Sequence, residues 1–137
     1  NDFRAVGCRI IAESFATNRT ITAVDLSFNG MDSEAAAAFA EAIEKKKESG
    51  RVVRPCRMKT VNLYGNRLGS QGVADVVRAL ANDVPEYINL GKNKVGREGG
   101  EAVARALRIP TLRWRELNLE QNVLGKEGAN PIFWSLR

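Results

Sequence analysis

Residues 61–72 read VNLYGNRLGSQG, and the placing of the glycines and the asparagine admits three readings: a phosphate-binding loop, an RNA-clamping GxxG loop, or one copy of something periodic. The rest of the chain decides between them. VDLSFNGMDSEA starts at Val24, INLGKNKVGREG at Ile88 and LNLEQNVLGKEG at Leu117. Asn29, Asn66, Asn93 and Asn122 keep the register in steps of 37, 27 and 29 residues, and Asn1 stands 28 residues before Asn29 with Phe3 and Gly7 in phase with Leu68 and Gly72. Self-similarity at such a period means stacked units, none of which can bury its apolar face alone.

Each unit reads LxxLxLxxNxLxxxG and then changes period. The apolar slots are Ile21, Val24, Leu26 and Met31; Met58, Val61, Leu63 and Leu68; Pro85, Ile88, Leu90 and Val95; and Trp114, Leu117, Leu119 and Leu124. Alternation at Val61 and Leu63 predicts a short strand with one buried face. After Gly72, the spacing of Val73, Val76, Val77 and Leu80 predicts a helix with one apolar side. Two helix columns recur in all five units: Ile11, Phe39, Val76, Val103 and Ile132, then Phe15, Ile43, Leu80, Leu107 and Leu136.

The repeat removes the competing readings. A phosphate loop needs Lys-Ser or Lys-Thr after its second glycine, which is missing here. The GxxG spacing of Gly69 and Gly72 returns at Gly96 and Gly99 and at Gly125 and Gly128, where an RNA-clamping domain has no room. These glycines are expected to allow a tight turn and close packing at the start of each helix. Asn29, Asn66, Asn93 and Asn122 are expected to form a structural ladder, since a buried carboxamide both donates to and accepts from backbone groups that lose their strand partners at a turn.

The pattern closely resembles the leucine-rich repeat family, in its ribonuclease-inhibitor-like subclass with units of about 28 residues. The resemblance implies an α/β solenoid, a right-handed βα horseshoe arc with parallel strands on the concave side and helices on the convex side. Residues 1–137 are then one segment of four to five units, with an insertion at about 45–57. Ala35 in a glycine slot and Pro85 at a strand entry depart from the pattern without breaking its register, and two cysteines are few for ribonuclease inhibitor itself. Neither terminus reads as the polar cap that shields the end of a solenoid, so the expectation is a piece of a longer one.

Composition narrows the function. The chain has 137 residues, 44% of them hydrophobic, and no histidine, which removes Ser-His and Cys-His nucleophiles and the HExxH zinc helix. No metal set or cofactor motif is legible. No run approaches the ~18 apolar residues of a membrane-spanning helix. Cys8 aligns with the core residue Val73, and Cys56 lies two units away, beyond disulfide reach at a strand spacing of about 4.8 Å. Unpaired thiols point to a reducing intracellular compartment, the cytoplasm first, with an organelle or the cytoskeleton as alternatives. The glycosylation sequon Asn18, Arg19, Thr20 is expected to go unused.

Positions that alternate away from the core are expected to line the concave face: Ala23, Thr60, Tyr87 and Glu116; Asp25, Asn62, Asn89 and Asn118; Ser27, Tyr64, Gly91 and Glu120. The resemblance implies partner contacts on this surface, and the two tyrosines have the stiff amphipathic area enriched at interfaces. Charge collects elsewhere. Residues 45–59 carry Lys45, Lys46, Lys47, Arg51, Arg54, Arg57 and Lys59 against Glu48, a net of +6 in a chain of +5. This run suits RNA phosphates or another polyanion, and equally a solvated rim loop. On the helices, Glu13, Glu41, Arg78, Arg105 and Trp134 share a solvent-facing column, so Trp134 is expected to be exposed.

These residues point to a non-enzymatic protein–protein interaction scaffold without a small-molecule substrate. Two alternatives stay open. One is a GTPase-activating protein of the Ran-activating type; the other is an RNA-contacting subunit of a ribonucleoprotein or organellar assembly.

Overall fold

The computed structural model describes residues 4–18, 20–44, 58–81 and 85–136. Among the described residues nine elements alternate in chain order: α1 (Arg4–Thr17), β1 (Ala23–Asp25), α2 (Ser33–Glu44), β2 (Thr60–Asn62), α3 (Gly69–Ala81), β3 (Tyr87–Asn89), α4 (Arg97–Leu107), β4 (Glu116–Asn118) and α5 (Gly125–Ser135). The strands form one parallel sheet in the order β1-β2-β3-β4. Each helix packs on the next, α1 on α2 through to α4 on α5, so that sheet and helices make two layers.

Every junction between units uses the same register. Val24 pairs with Val61, Val61 with Ile88 and Ile88 with Leu117. The hydrogen bonds repeat as well. Leu26, Leu63 and Leu90 donate their amides to the carbonyls of Asn62, Asn89 and Asn118 at 2.8 to 2.9 Å. The expected alternation holds for the core: Val61 and Leu63 are fully buried, although the strand itself spans only Thr60–Asn62. Full burial of one such side chain contributes about 1.5–3 kcal/mol.

Phe39, Val76 and Val103 are likewise buried to the last atom, and so is Cys8. Ala35 and Pro85, the two departures from the pattern, both sit in the interior. Burial pushes the Cys8 thiol up, with the Asp32 carboxylate adding to the shift. The helix columns weaken in the last unit. Ile132 is half-buried and Leu136 is 70% exposed rather than buried as its column predicts, because among the described residues only α4 packs against α5. Asn1, Phe3, Cys56 and the side chain of Phe15 lie outside the described residues.

The asparagine ladder is present in detail. Asn66 Oδ1 accepts from the amides of Asn29 and Met31 in the preceding coil, and its Nδ2 donates to the carbonyls of Leu26 and Leu63. Asn122 repeats this one step along, on Asn93, Val95, Leu90 and Leu119. Asn93 donates to Leu63 and Leu90 and accepts a longer bond from Leu68. Asn29 stands at the first described coil; its Nδ2 reaches the carbonyl of Ser27, and its buried Oδ1 meets no donor among the described residues.

The recurring glycines do two separate jobs. Gly69 and Gly125 turn the chain into α3 and α5 at φ +64° and +59°. Gly72, Gly99 and Gly128 are buried in the first helical turn against the neighbouring unit. A β-carbon on Gly72 would come within 2.9 Å of Ala36 Cβ, and one on Gly128 within 3.0 Å of Arg97 Cα. The glycine there brings adjacent helices to backbone contact.

Candidate functional site

The twelve outward positions divide into three rows across the open face of the sheet. In the first row Ala23 and Glu116 are exposed, Thr60 is half-buried and Tyr87 is 42% exposed. Tyr87 and Glu116 are register partners on adjacent strands, which brings ring and carboxylate side by side. Between the strands lies a shallow cavity of about 210 Å³, lined by Thr60, Asn62, Tyr87, Asn89, Glu116 and Asn118 over the buried Val61 and Ile88.

The second row has a structural task that alternation alone does not reveal. Asp25, Asn62, Asn89 and Asn118 each accept, through Oδ1, the amide two residues ahead: Ser27 at 2.9 Å, Tyr64 at 3.1 Å, Gly91 at 3.0 Å and Glu120 at 2.8 Å. Each side chain closes the end of its own strand as an Asx turn. The legible signal was the row's uniform short carboxyl or carboxamide chemistry. Asp25 also receives the Ser27 hydroxyl at 2.6 Å and Asn62 Nδ2 at 2.9 Å. The Ser27 bonds, hydroxyl and then amide, hold its carboxyl below the usual aspartate range; burial opposes them, and the Asn62 bond adds a smaller lowering.

The third row, Ser27, Tyr64, Gly91 and Glu120, lies just past the strand ends, and here an aromatic residue was missed. Phe28 is 60% exposed, with its ring edge-on to Tyr64 at 5.4 Å between centroids and an interplanar angle of 67°. Tyr64 is therefore half-buried rather than a free-standing ring. Phe28, Gly65, Lys92 and Gln121 occupy one column and share a left-handed backbone, at φ 55°, 69°, 52° and 54°. Glycine is the relaxed choice there, and a bulky residue stores roughly 1–2 kcal/mol of strain.

Two glycines vacate the space that the rings use. A β-carbon on Gly65 would meet the Phe28 ring at 2.6 Å, and one on Gly91 the Tyr64 ring at 2.8 Å. Lys92 Nζ lies 5.6 Å from the Phe28 centroid, a cation over a π face. Sequence alternation could not find Phe28, since its column of phenylalanine, glycine, lysine and glutamine has no common chemistry.

On the helix side, Trp134 is 58% exposed as expected and stands edge-on to Phe133 at 5.6 Å. A groove of about 300 Å³ between α3 and α4 is floored by small residues including Ala74 and Ala102. Asn18 Oδ1 accepts the amides of Thr20 and Ile21, so the sequon asparagine is engaged in a local turn. Lys45, Lys46, Lys47, Arg51, Arg54 and Arg57 lie outside the described residues. Among the described residues no group of three or more His, Cys, Asp or Glu is placed to hold a metal ion. No helix there is long and apolar enough to cross a membrane.

A comparison with curated proteins found no match. A family model described as Leucine Rich repeat matches residues 17–40 and 86–104, the stretches that hold β1 with most of α2 and β3 with most of α4. Those two stretches are similar to leucine-rich repeats, and with the in-register parallel sheet and its strand–helix alternation they fit an α/β leucine-rich repeat solenoid fold.

Proposed function

We propose that this solenoid is a non-enzymatic protein-interaction scaffold of the ribonuclease-inhibitor-like subclass, and that its partner lies on the open sheet face. The observation that carries the reading is Phe28. A bulky aromatic side chain is kept 60% exposed in a left-handed backbone, and Gly65 leaves its ring room. Strain of this kind is tolerated where a surface has a use for it. Tyr64 and Tyr87 extend the aromatic area along the strands, and Asp25, Thr60, Asn62, Glu116 and Glu120 give it a polar surround. A stiff stacked framework loses little ordering entropy when it binds, which favours recognition over flat or extended partners.

Nothing among the described residues favours the GTPase-activating or RNA-contacting alternatives over this reading. Photo-crosslinking in extract from the native source tests it. A crosslinker replacing Tyr87 gives a discrete adduct that is lost when Phe28→Ala and Tyr64→Ala are introduced. Adducts formed only from helix-side positions such as Arg105 would overturn it.

A further inference from the structure

We infer that the cavity on the open sheet face receives an arginine side chain from the protein partner, its guanidinium lying on Tyr87 and pairing with Glu116. The inference rests on the reading of this face as the partner surface and names the chemistry of what docks there.

Charge placement is the first ground. The twelve outward positions carry three carboxylates, Asp25, Glu116 and Glu120, and neither lysine nor arginine, although the chain as a whole is +5. Two of the bases at its margins are engaged there. Arg115, at the strand entry, is 3.2 Å from Glu86, and Lys92, past the strand ends, covers Phe28. Asp25 is likewise committed, to Ser27 and Asn62. Glu116 is exposed and, among the described residues, has no cationic partner. A face that is acidic on a basic chain steers and orients a basic segment.

Shape selects arginine. Tyr87 and Glu116 are register partners, and neighbouring strands lie about 4.8 Å apart, so a planar cation resting on the ring reaches the carboxylate beside it. Guanidinium stacks on aromatic faces and forks onto carboxylates, whereas an ammonium does only the point-charge part of this. The cavity, about 210 Å³, has the volume of roughly seven waters, enough for the head of one long side chain.

The remaining wall fixes what lies beside that side chain. Asn89 and Asn118 spend Oδ1 on Gly91 and Glu120, and among the described residues their NH₂ groups donate no hydrogen bond. Two amide donors on adjacent strands suit the carbonyls of an extended segment, so main chain and arginine head are recognised together.

Selection of a random peptide display library on the 137-residue chain provides the probe. The recovered peptides are expected to be arginine-containing and net basic. For the tightest of them, replacing the arginine by citrulline, neutral and nearly isosteric, weakens binding tenfold or more. Glu116→Gln in the protein produces a comparable loss, Tyr87→Phe retains binding and Tyr87→Ala does not. Glu116→Arg should bind the peptide's arginine-to-glutamate form better than the unaltered protein does. Circular dichroism establishes that each variant is folded; Glu116 is exposed, so its variants are the secure ones.

Peptides that depend on Tyr87 but carry no arginine, or ignore Glu116→Gln, would overturn the inference while leaving the face as the partner surface. Peptides indifferent to Phe28→Ala, Tyr87→Ala and Glu116→Gln, but lost on Arg105→Glu, would remove both. Recovery of no arginine-containing peptide at all would also overturn it.

Discussion

At the scale of single residues, Asn66 carries the most. Its carboxamide serves two amides and two carbonyls at about 2.9 to 3.0 Å, and the residue is 3% exposed. Asn66→Ala strands four buried backbone groups and is expected to cost at least about 3 kcal/mol in urea unfolding. Asn122→Ala removes the same bonds at a half-buried site where water replaces them, and should cost about 1 kcal/mol. Equal losses would show that the ladder is not what burial makes costly.

Asp25 gives a second residue-level test. Its folded pKa is lowered, chiefly by the Ser27 hydroxyl, so its contribution to stability is fully present above the ordinary aspartate pKa and is lost as pH falls through the folded value. The stability difference between the unaltered protein and Asp25→Asn should therefore shrink on acidification below about pH 4. A difference that stayed constant from neutral pH into that range would refute the assignment.

At the scale of elements, close approach of helices is set by glycine where no side chain fits. A β-carbon on Gly100 of α4 would lie 2.4 Å from the carbonyl oxygen of Gly128 in α5, and backbone cannot swing aside as a side chain does. Gly100→Ala should part these helices and cost about 2–3 kcal/mol, with a lower thermal midpoint. Gly69→Ala has open space around the new carbon but keeps φ +64°, so its cost is the left-handed penalty of about 1 kcal/mol. If the two variants unfolded alike, close approach would not be the reason for glycine at position 100. Between elements, Arg97 reaches from α4 to Glu127 on α5 at 2.9 Å, but it is an exposed pair and adds little.

At the scale of the molecule, a stack in which each unit touches only its neighbours has unequal local stability. The amides of Leu63 and Leu90 are bonded to the next strand, while that of Leu119 on the β4 coil has no such acceptor among the described residues. Leu117, Leu119 and Leu124 are correspondingly half-buried where Val61, Leu63 and Leu68 are fully enclosed. Native-state hydrogen exchange should find the Leu119 amide at least about tenfold less protected than those of Leu63 and Leu90. Equal protection would mean that another surface covers the β4 edge.

What sequence alone determined is everything that repeats. Strand, asparagine, glycine and helix columns recur, and each imposes a local demand that a side chain either meets or fails: Val61 and Leu63 inside, Asn66 under the turn, Gly72 at the helix contact, Trp134 in solvent. Periodicity reports which way a residue points, and in a stack that direction is the same in every unit. Only the tertiary structure decided what differs between units. The Phe28–Tyr64 pair depends on the vacancies at Gly65 and Gly91, in coils separated by 26 residues. The cavity beside Tyr87 draws on three strands at once. Such features arise from distances between chain segments, and a distance across the stack leaves no period along the chain.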